Sequence, residues 1–442
     1  MSGKDLGLTV ATHRVDRRKL LGMTAAAAGG LALTRAGVAS AQDTVKLTWG
    51  TWGNTGEIQR FKEYTDSFNG ANPSIKMELI PSPNDGYDER LLTQLNGGSA
   101  PDVFYVGDGL ISSLMKNKAI LDITDRLTGA TSLSKPEQFA GDLWGASVTP
   151  EGRYYGTTVD CNPLVLWYNK GVLAEAGVTT MPADLYEAGQ WNWQAFQGMC
   201  DQIRAKGKTP YVLPDWWAGR YGWVSANGGK VYDNGQFVGD KDPKTVEAFQ
   251  FVADNMASKN FVYAGGLPEG QGDTVMMMSG QLGFISVGRW GLPLFKENTS
   301  LDVDIVPNPT NTGNKLEPGP VAVAYIAVNA ASKNPDAAFT FLTNFVSPAG
   351  QQFRLQGGGN AVPSIQGVEE VVLEGGQPAH GQYFIDTREV GYAYFREESG
   401  TAGLGSAIDD RLETFWLEGG DVQAVLTEVA TMANTAIPNG SV

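Results

Sequence analysis

The sequence predicts an α/β protein made of more than one compact unit, and three observations carry that expectation. Short apolar runs of strand length alternate with amphipathic helical runs, the pattern of βαβ units around a largely parallel sheet. The chain has 442 residues, more than one hydrophobic core organises. Its content, 42% apolar and 18% charged, is that of a globular protein, with 56 glycines and 22 prolines to supply loops.

Val45 to Trp49 reads as the first strand. A loop rich in glycine follows, and from Ile58 the residues Ile58, Phe61, Thr65 and Phe68 recur at helical spacing until Gly70 and Pro73 stop the helix. SIKMELIP is a second strand. A helix ending at Gly97-Gly98 leads to a short apolar strand, Asp102 to Val106. Tyr154 to Tyr168 reads as one long extended run entering a short helix capped by Gly177. DPKTVEAFQFVADNMAS is an amphipathic helix with Val246, Phe249, Val252 and Met256 on one side. GQLGFISVGRW is a buried strand ending in Gly288-Arg289-Trp290, NPTNTGNKLEPGP a loop, and VAVAYIAVNA an apolar strand. The C-terminal part is mainly helical, including NPDAAFTFLTNFV and DVQAVLTEVATMA.

Residues 1–41 read as an address rather than as structure. Arg17 and Arg18 precede a short, mild apolar run, Arg35 follows it, and Ala39-Ser40-Ala41 gives the small-x-small pattern that a signal peptidase accepts. Together they resemble a twin-arginine export signal. Cleavage after Ala41 removes six basic and two acidic residues, taking the formal charge from −15 to −19. That balance argues against nucleic-acid backbone or an anionic lipid surface as partner. The only cysteines, Cys161 and Cys200, suit either one disulfide or two buried thiols.

Catalytic and metal readings find little to stand on. A Ser/His/Asp triad would depend on His380, since the other histidine is His13, and no Gly-x-Ser-x-Gly elbow surrounds a serine. Zinc would want clustered His or Cys ligands. No metal, cofactor or catalytic residue is therefore expected. A secreted glycosidase with paired carboxylates is the enzyme alternative, because Asp and Glu are numerous.

Several stretches, in order, carry a family resemblance: LTWGTWG, NGGSAPDVFYVGD, LVLWYNKGVLAEAGV, QWNWQAF, MMMSGQLGFISVGRW, AYIAVNAASKNPDAAFTFLTNFVSPAGQQ and NAVPS. They resemble the extracellular solute-binding proteins of ABC importers, in particular the sugar-binding group that includes maltose-binding protein. The resemblance implies a two-lobe periplasmic binding protein fold of type II, with mixed sheets flanked by helices and joined by crossing segments. Lobe 1 is expected at 42–160 and 307–360, and lobe 2 at 161–306 and 361–442. The chain would cross near Asp160, return near Val306–Pro320, and cross again before the C-terminal helices. The implied ligand is a carbohydrate held between the lobes. The implied partners are the transmembrane permease subunits of an ABC transporter, met outside the cytoplasm by a monomer.

A sugar has apolar C–H faces and a rim of hydroxyls, so its site needs aromatic rings plus fixed donors and acceptors. Trp52 and Asn54 lie where the first strand delivers its loop; the alternative is that Trp52 packs under the next helix. Asp108 follows the third strand and would either accept from a ligand hydroxyl or cap the helix near Ser112-Ser113. Asp160 and Asn162 sit at the first crossing, facing either ligand or hinge backbone. In DWWAGRYGWVSANGG, Trp217 and Tyr221 share one helical face and Trp216 can share another with Trp223; Trp216, Trp217 and Tyr221 are the binding candidates. Trp290 ends its strand at a position that resembles one where the family commonly stacks a ring on sugar. Trp49, Trp191 and Trp193 read as packing residues. A polyol, glycerophosphodiester, peptide or compatible solute is the other ligand class; a phosphate would call on Arg289, Arg220 or Arg396.

Overall fold

A computed structural model describes residues 44–53, 55–268 and 271–437. Asn54 and the expected signal at 1–41 lie outside the described residues. Among the described residues no helix is long and apolar enough to cross a membrane.

Two five-stranded sheets form the framework, one per lobe. The strands are β1 (Val45–Trp52), β2 (Ile75–Ser82), β3 (Val103–Gly107), β4 (Thr157–Pro163), β5 (Val165–Asn169), β6 (Thr209–Leu213), β7 (Tyr232–Asp233), β8 (Gln236–Phe237), β9 (Phe261–Tyr263), β10 (Leu282–Val287), β11 (Val303–Val306) and β12 (Val321–Val328). The first sheet runs β2-β1-β3-β12-β4 and the second β11-β5-β10-β6-β9, with β7 and β8 forming a separate hairpin. Both sheets are mixed rather than largely parallel. β12 runs antiparallel to β3 and β4. β5 runs antiparallel to β10 and β11.

The first core forms around Trp49, which is fully buried on β1 among Phe61, Phe341 and Phe345. Phe61, Thr65 and Phe68 are buried on the helix Thr55–Ala71, as their spacing predicts; Ile58 is only half-buried, and Tyr64 joins the face. Trp49 Nε1 donates to Thr65 Oγ1 at 3.0 Å, so the indole's one polar atom is satisfied inside the core. Each such side chain contributes about 1.5–3 kcal/mol on burial. The same strand carries Trp52 further than its sequence suggests. β1 stays paired with β2 through Trp52 and Ser82, so Trp52 closes the strand instead of sitting in a turn.

The extended run Tyr154–Tyr168 divides into two strands belonging to different sheets. β4 keeps to the first sheet through Pro163, and β5 enters the second at Val165. Between them the Leu164 amide donates to the Pro320 carbonyl at 2.9 Å, which ties the outgoing crossing to the returning one. The returning segment is fastened to the second lobe by two indoles. Trp191 Nε1 donates to Pro307 O at 2.8 Å and Trp193 Nε1 to Pro309 O at 3.0 Å. A third connection follows the helix Pro348–Leu355, where Val362 pairs with Cys161 of β4. Both cysteines are buried free thiols, Cys161 on β4 and Cys200 in the helix Trp193–Ala205.

Candidate functional site

β1, β3, β4 and β12, with the turn that follows β10, bring residues to a cavity of about 410 Å³ between the lobes. Trp52 and Tyr105 come to it from the first sheet, Trp290 from the turn after β10, and Asp160 and Asn162 from β4. Trp52 is held by edge-to-face contacts with Tyr87 (centroids 4.9 Å apart) and Tyr105 (5.3 Å), which leaves the indole half-buried on the cavity wall. Such pairs contribute about 0.5–1.5 kcal/mol beyond burial and fix the ring's attitude.

Trp290 reaches the opposite wall because Gly288 has no side chain. A Cβ at Gly288 would stand 2.3 Å from the Trp290 ring and 2.6 Å from Asn162 Cβ, closer than atoms pack. The glycine therefore lets the indole fold back over its own turn and brings β4 against β10. Trp216 stands beside it, with ring centroids 6.5 Å apart.

Two polar atoms at the cavity have no partner. Tyr105 Oη and Asn162 Oδ1 are both buried and make no hydrogen bond. Leaving a buried donor or acceptor unpaired costs about 1–3 kcal/mol, so these groups favour a ligand that completes them. Burial also pushes the Tyr105 ionisation far up, which keeps its hydroxyl protonated.

The carboxylates on the wall are already engaged. Asp160 Oδ2 accepts from Arg354 Nη1 at 2.9 Å; burial raises the Asp160 pKa while the guanidinium opposes that rise. Glu57 accepts from the Asn360 side chain. Neither Lys nor Arg lines the cavity among the described residues. Arg289 is fully buried against backbone carbonyls. Arg220 pairs with Glu398 and Asp409, and Arg396 donates to Gly145 O at 3.3 Å.

The remaining predicted residues lie elsewhere. Asp108 is half-buried beyond the end of β3 and is not on the cavity wall. It does not cap the following helix, Ile111–Lys116, which begins at Leu110 without a side-chain bond. Burial lifts its carboxyl to about 7, and the neighbouring Asp88 adds to the rise; the Gly109 amide and the Trp217 indole oppose it. Trp217 Nε1 is near enough to favour the carboxylate, yet it completes no hydrogen bond. Trp217 and Tyr221 do share a face of the helix Trp217–Ala226, but that face packs on the segment 392–398. Tyr221 is 1% exposed and its hydroxyl donates to Glu398 Oε1. Glu398 also accepts from Tyr232 and Tyr394 and pairs with Arg220, a buried network that consumes Tyr221.

Tyr105, Glu57, Asn84 and Asn360 line the cavity without having been singled out in the sequence. Asn360 stood in the NAVPS stretch behind three glycines, the one signal available for it. Among the described residues no group of three His, Cys, Asp or Glu side chains could hold a metal ion.

Comparison with known proteins places this geometry in context. Residues 52–352 match the family described as bacterial extracellular solute-binding protein. An ABC substrate-binding protein from Listeria monocytogenes, in complex with cycloalternan, superposes with a TM-score of 0.77 at 19% identity, covering 89% of this chain and 99% of that one. Maltose-bound MalE3 of T. maritima gives 0.72 at 17% identity, covering 89% of this chain and all of that one. At such identities the likeness is one of fold. The diacetylchitobiose binding protein DasA of Streptomyces coelicolor is 27% identical over 285 residues, 62% of each chain. Binding proteins of Brucella abortus and Brucella suis are 23% identical over 154 residues, so this chain spans about a third of the length (34%) of these first curated relatives.

Proposed function

The chain belongs to the bacterial extracellular solute-binding proteins, and from that premise we propose that it captures a neutral carbohydrate between its lobes and delivers it unaltered to an ABC permease. One observation carries the reading. Trp52 and Trp290 stand on opposite lobes of a single cavity that also holds two buried polar atoms lacking partners, Tyr105 Oη and Asn162 Oδ1. Apolar ring faces with uncompleted hydrogen bonds between them complement a sugar's C–H faces and hydroxyls. Closure of the lobes removes water from around those bonds and makes them discriminating.

Charge supports a neutral ligand. A phosphate needs cations, and Arg289, Arg220 and Arg396 all spend their donors away from the cavity. Hydrolysis finds less support, because both Asp160 and Glu57 are engaged by protein partners. The names of the similar proteins, with diacetylchitobiose, maltose and cycloalternan, point the same way.

The proposal includes export through the twin-arginine signal at 1–41, action outside the cytoplasm as a monomer, and the lobe assignment 42–160 with 307–360 against 161–306 with 361–442, with its first crossing moved to Leu164, between β4 and β5, and its return to the stretch between Pro309 and Val321. Of the predicted site residues it retains Trp52, Asp160, Asn162 and Trp290 on the wall, with Trp216 beside them. A thermal-shift screen of maltose, diacetylchitobiose, cycloalternan, a polyol and a glycerophosphodiester tests it, because a ligand bound to the folded state raises the melting temperature. A neutral saccharide should raise it and be recovered intact. A response to the phosphodiester alone, or recovery of cleaved sugar, overturns the reading.

A further inference from the structure

Arg289 is a buried charge that ligand capture leaves unexplained, and unlike the equally buried Arg354 and Arg388 it pairs with no acid. It follows β10 in the second lobe and is fully buried. Its partners are four backbone carbonyls and no acid. Nη1 donates to Gly359 O and, at 3.0 Å, to Ala361 O; Nη2 donates to Val371 O at 3.2 Å and Val372 O at 3.3 Å. Nε is buried without a partner. Glu374 favours the charge from a distance without bonding to it, and a buried cation with no bonded counter-ion is costly, where well-packed apolar residues often serve stability as well. What only arginine supplies is a rigid planar fork of donors, able to hold two chain segments at once.

Those segments meet at the site. Gly359 and Ala361 bracket Asn360, which lines the cavity and donates to Glu57 of the first lobe. The next residue, Val362, pairs with Cys161 of β4. The residues flanking Arg289 are Gly288, pressed against Asn162, and Trp290 on the cavity wall. On the far side of Asn360 a second arginine grips the same segment from the first lobe: Arg60 Nη1 donates to Arg354 O at 3.2 Å and Gln356 O at 2.6 Å. Arg60 Nη2 also donates to Gly357 O at 3.4 Å, and Gly357 and Gly358, with φ of +68° and +84°, form a left-handed stretch suited to glycine that leads to the Arg289 grip at Gly359.

We propose that Arg289 is a positioning residue: its guanidinium locks the Gly288–Trp290 turn to the third crossing segment and so sets Trp290 and Asn360 together on the cavity wall. Its importance for capture rests on the cavity being the ligand site, whereas the lock exists without ligand. Burial lowers the Arg289 pKa to about 10, which still leaves the fork charged at neutral pH.

The full chain without ligand provides the test, so that failure here is distinct from failure of the carbohydrate reading. Labelling with 5-fluorotryptophan introduces eleven ¹⁹F probes, and Trp290→Phe, Trp49→Phe and Trp191→Phe each assign one of them. Arg289→Lys keeps the charge and loses the fork. It should shift or split the Trp290 resonance by more than its linewidth while those of Trp49 and Trp191 stay in place. An unmoved Trp290 resonance, or equal movement of all three, overturns the proposal. Should Arg289→Lys not fold, the native protein answers by itself. A clamped guanidinium gives separate, slowly exchanging Nη protons, and a single averaged Arg289 signal overturns the lock.

Discussion

The Arg354 guanidinium stands 2.9 Å from the Asp160 carboxylate beneath the cleft, with the two side chains 1% and 15% exposed. Arg354 also donates to Val159 O at 3.0 Å and lies 4.0 Å above the Phe345 ring, so it is fixed on several sides. Removing one member strands the other. Arg354→Met should therefore lower unfolding free energy by about 3–5 kcal/mol, and adding Asp160→Asn should restore part of that loss. Urea denaturation of Arg354→Met, Asp160→Asn and the double variant decides; single losses that simply add in the double variant would mean the pair is not coupled.

Asp108 makes stability depend on pH. Its carboxyl is raised from 3.8 to about 7, chiefly by burial. Between those values the native state holds a proton that the unfolded chain has released, so raising the pH destabilises the fold across that window. Below it both states are protonated and the effect is absent; above it the full penalty applies. Asp108→Asn should be more stable than the parent at pH 8, by up to about 2–4 kcal/mol, and equal to it near pH 3.5. Melting curves at the two pH values check both the sign and the window.

Trp290→Ala should weaken binding of whichever saccharide passes the screen by about tenfold to a hundredfold, the range of a central aromatic contact. Melting temperature should change little, since the side chain is only half-buried. Calorimetry that returns the parent affinity removes Trp290 from the site.

Tyr105→Phe separates ligand chemistry from folding. The hydroxyl it deletes is buried and unpartnered, so the free protein should lose no stability and gain up to about 1 kcal/mol. The saccharide complex, by contrast, should weaken by about 1–2 kcal/mol. A variant that is destabilised while free yet binds normally would show that the hydroxyl serves the fold.

Much of this was legible in the chain itself. Periodicity marked Phe61, Thr65 and Phe68 as a core face, and the end of an apolar strand marked Trp290. The crossing near Asp160 marked Asn162. Direction was harder to read. Helical spacing put Trp217 and Tyr221 on one face, but nothing local says which way that face points, because Glu398, which claims Tyr221, lies 177 positions away. Tyr105 was hidden in an apolar strand buried from Val103 to Val106, where no alternation singles out one side chain. Asn360 and Glu57, 303 positions apart, become neighbours only when the crossing segment folds back.

Seven of the eleven tryptophans are shielded from solvent, and of the four that are not, Trp52, Trp216 and Trp290 gather at the cleft, with Trp144 elsewhere. The molecule consequently carries its own optical gauge. Changes in indole emission and quenching will be weighted towards the cavity rather than the interior, and the proposed capture can be tested and timed in native material without attaching any dye.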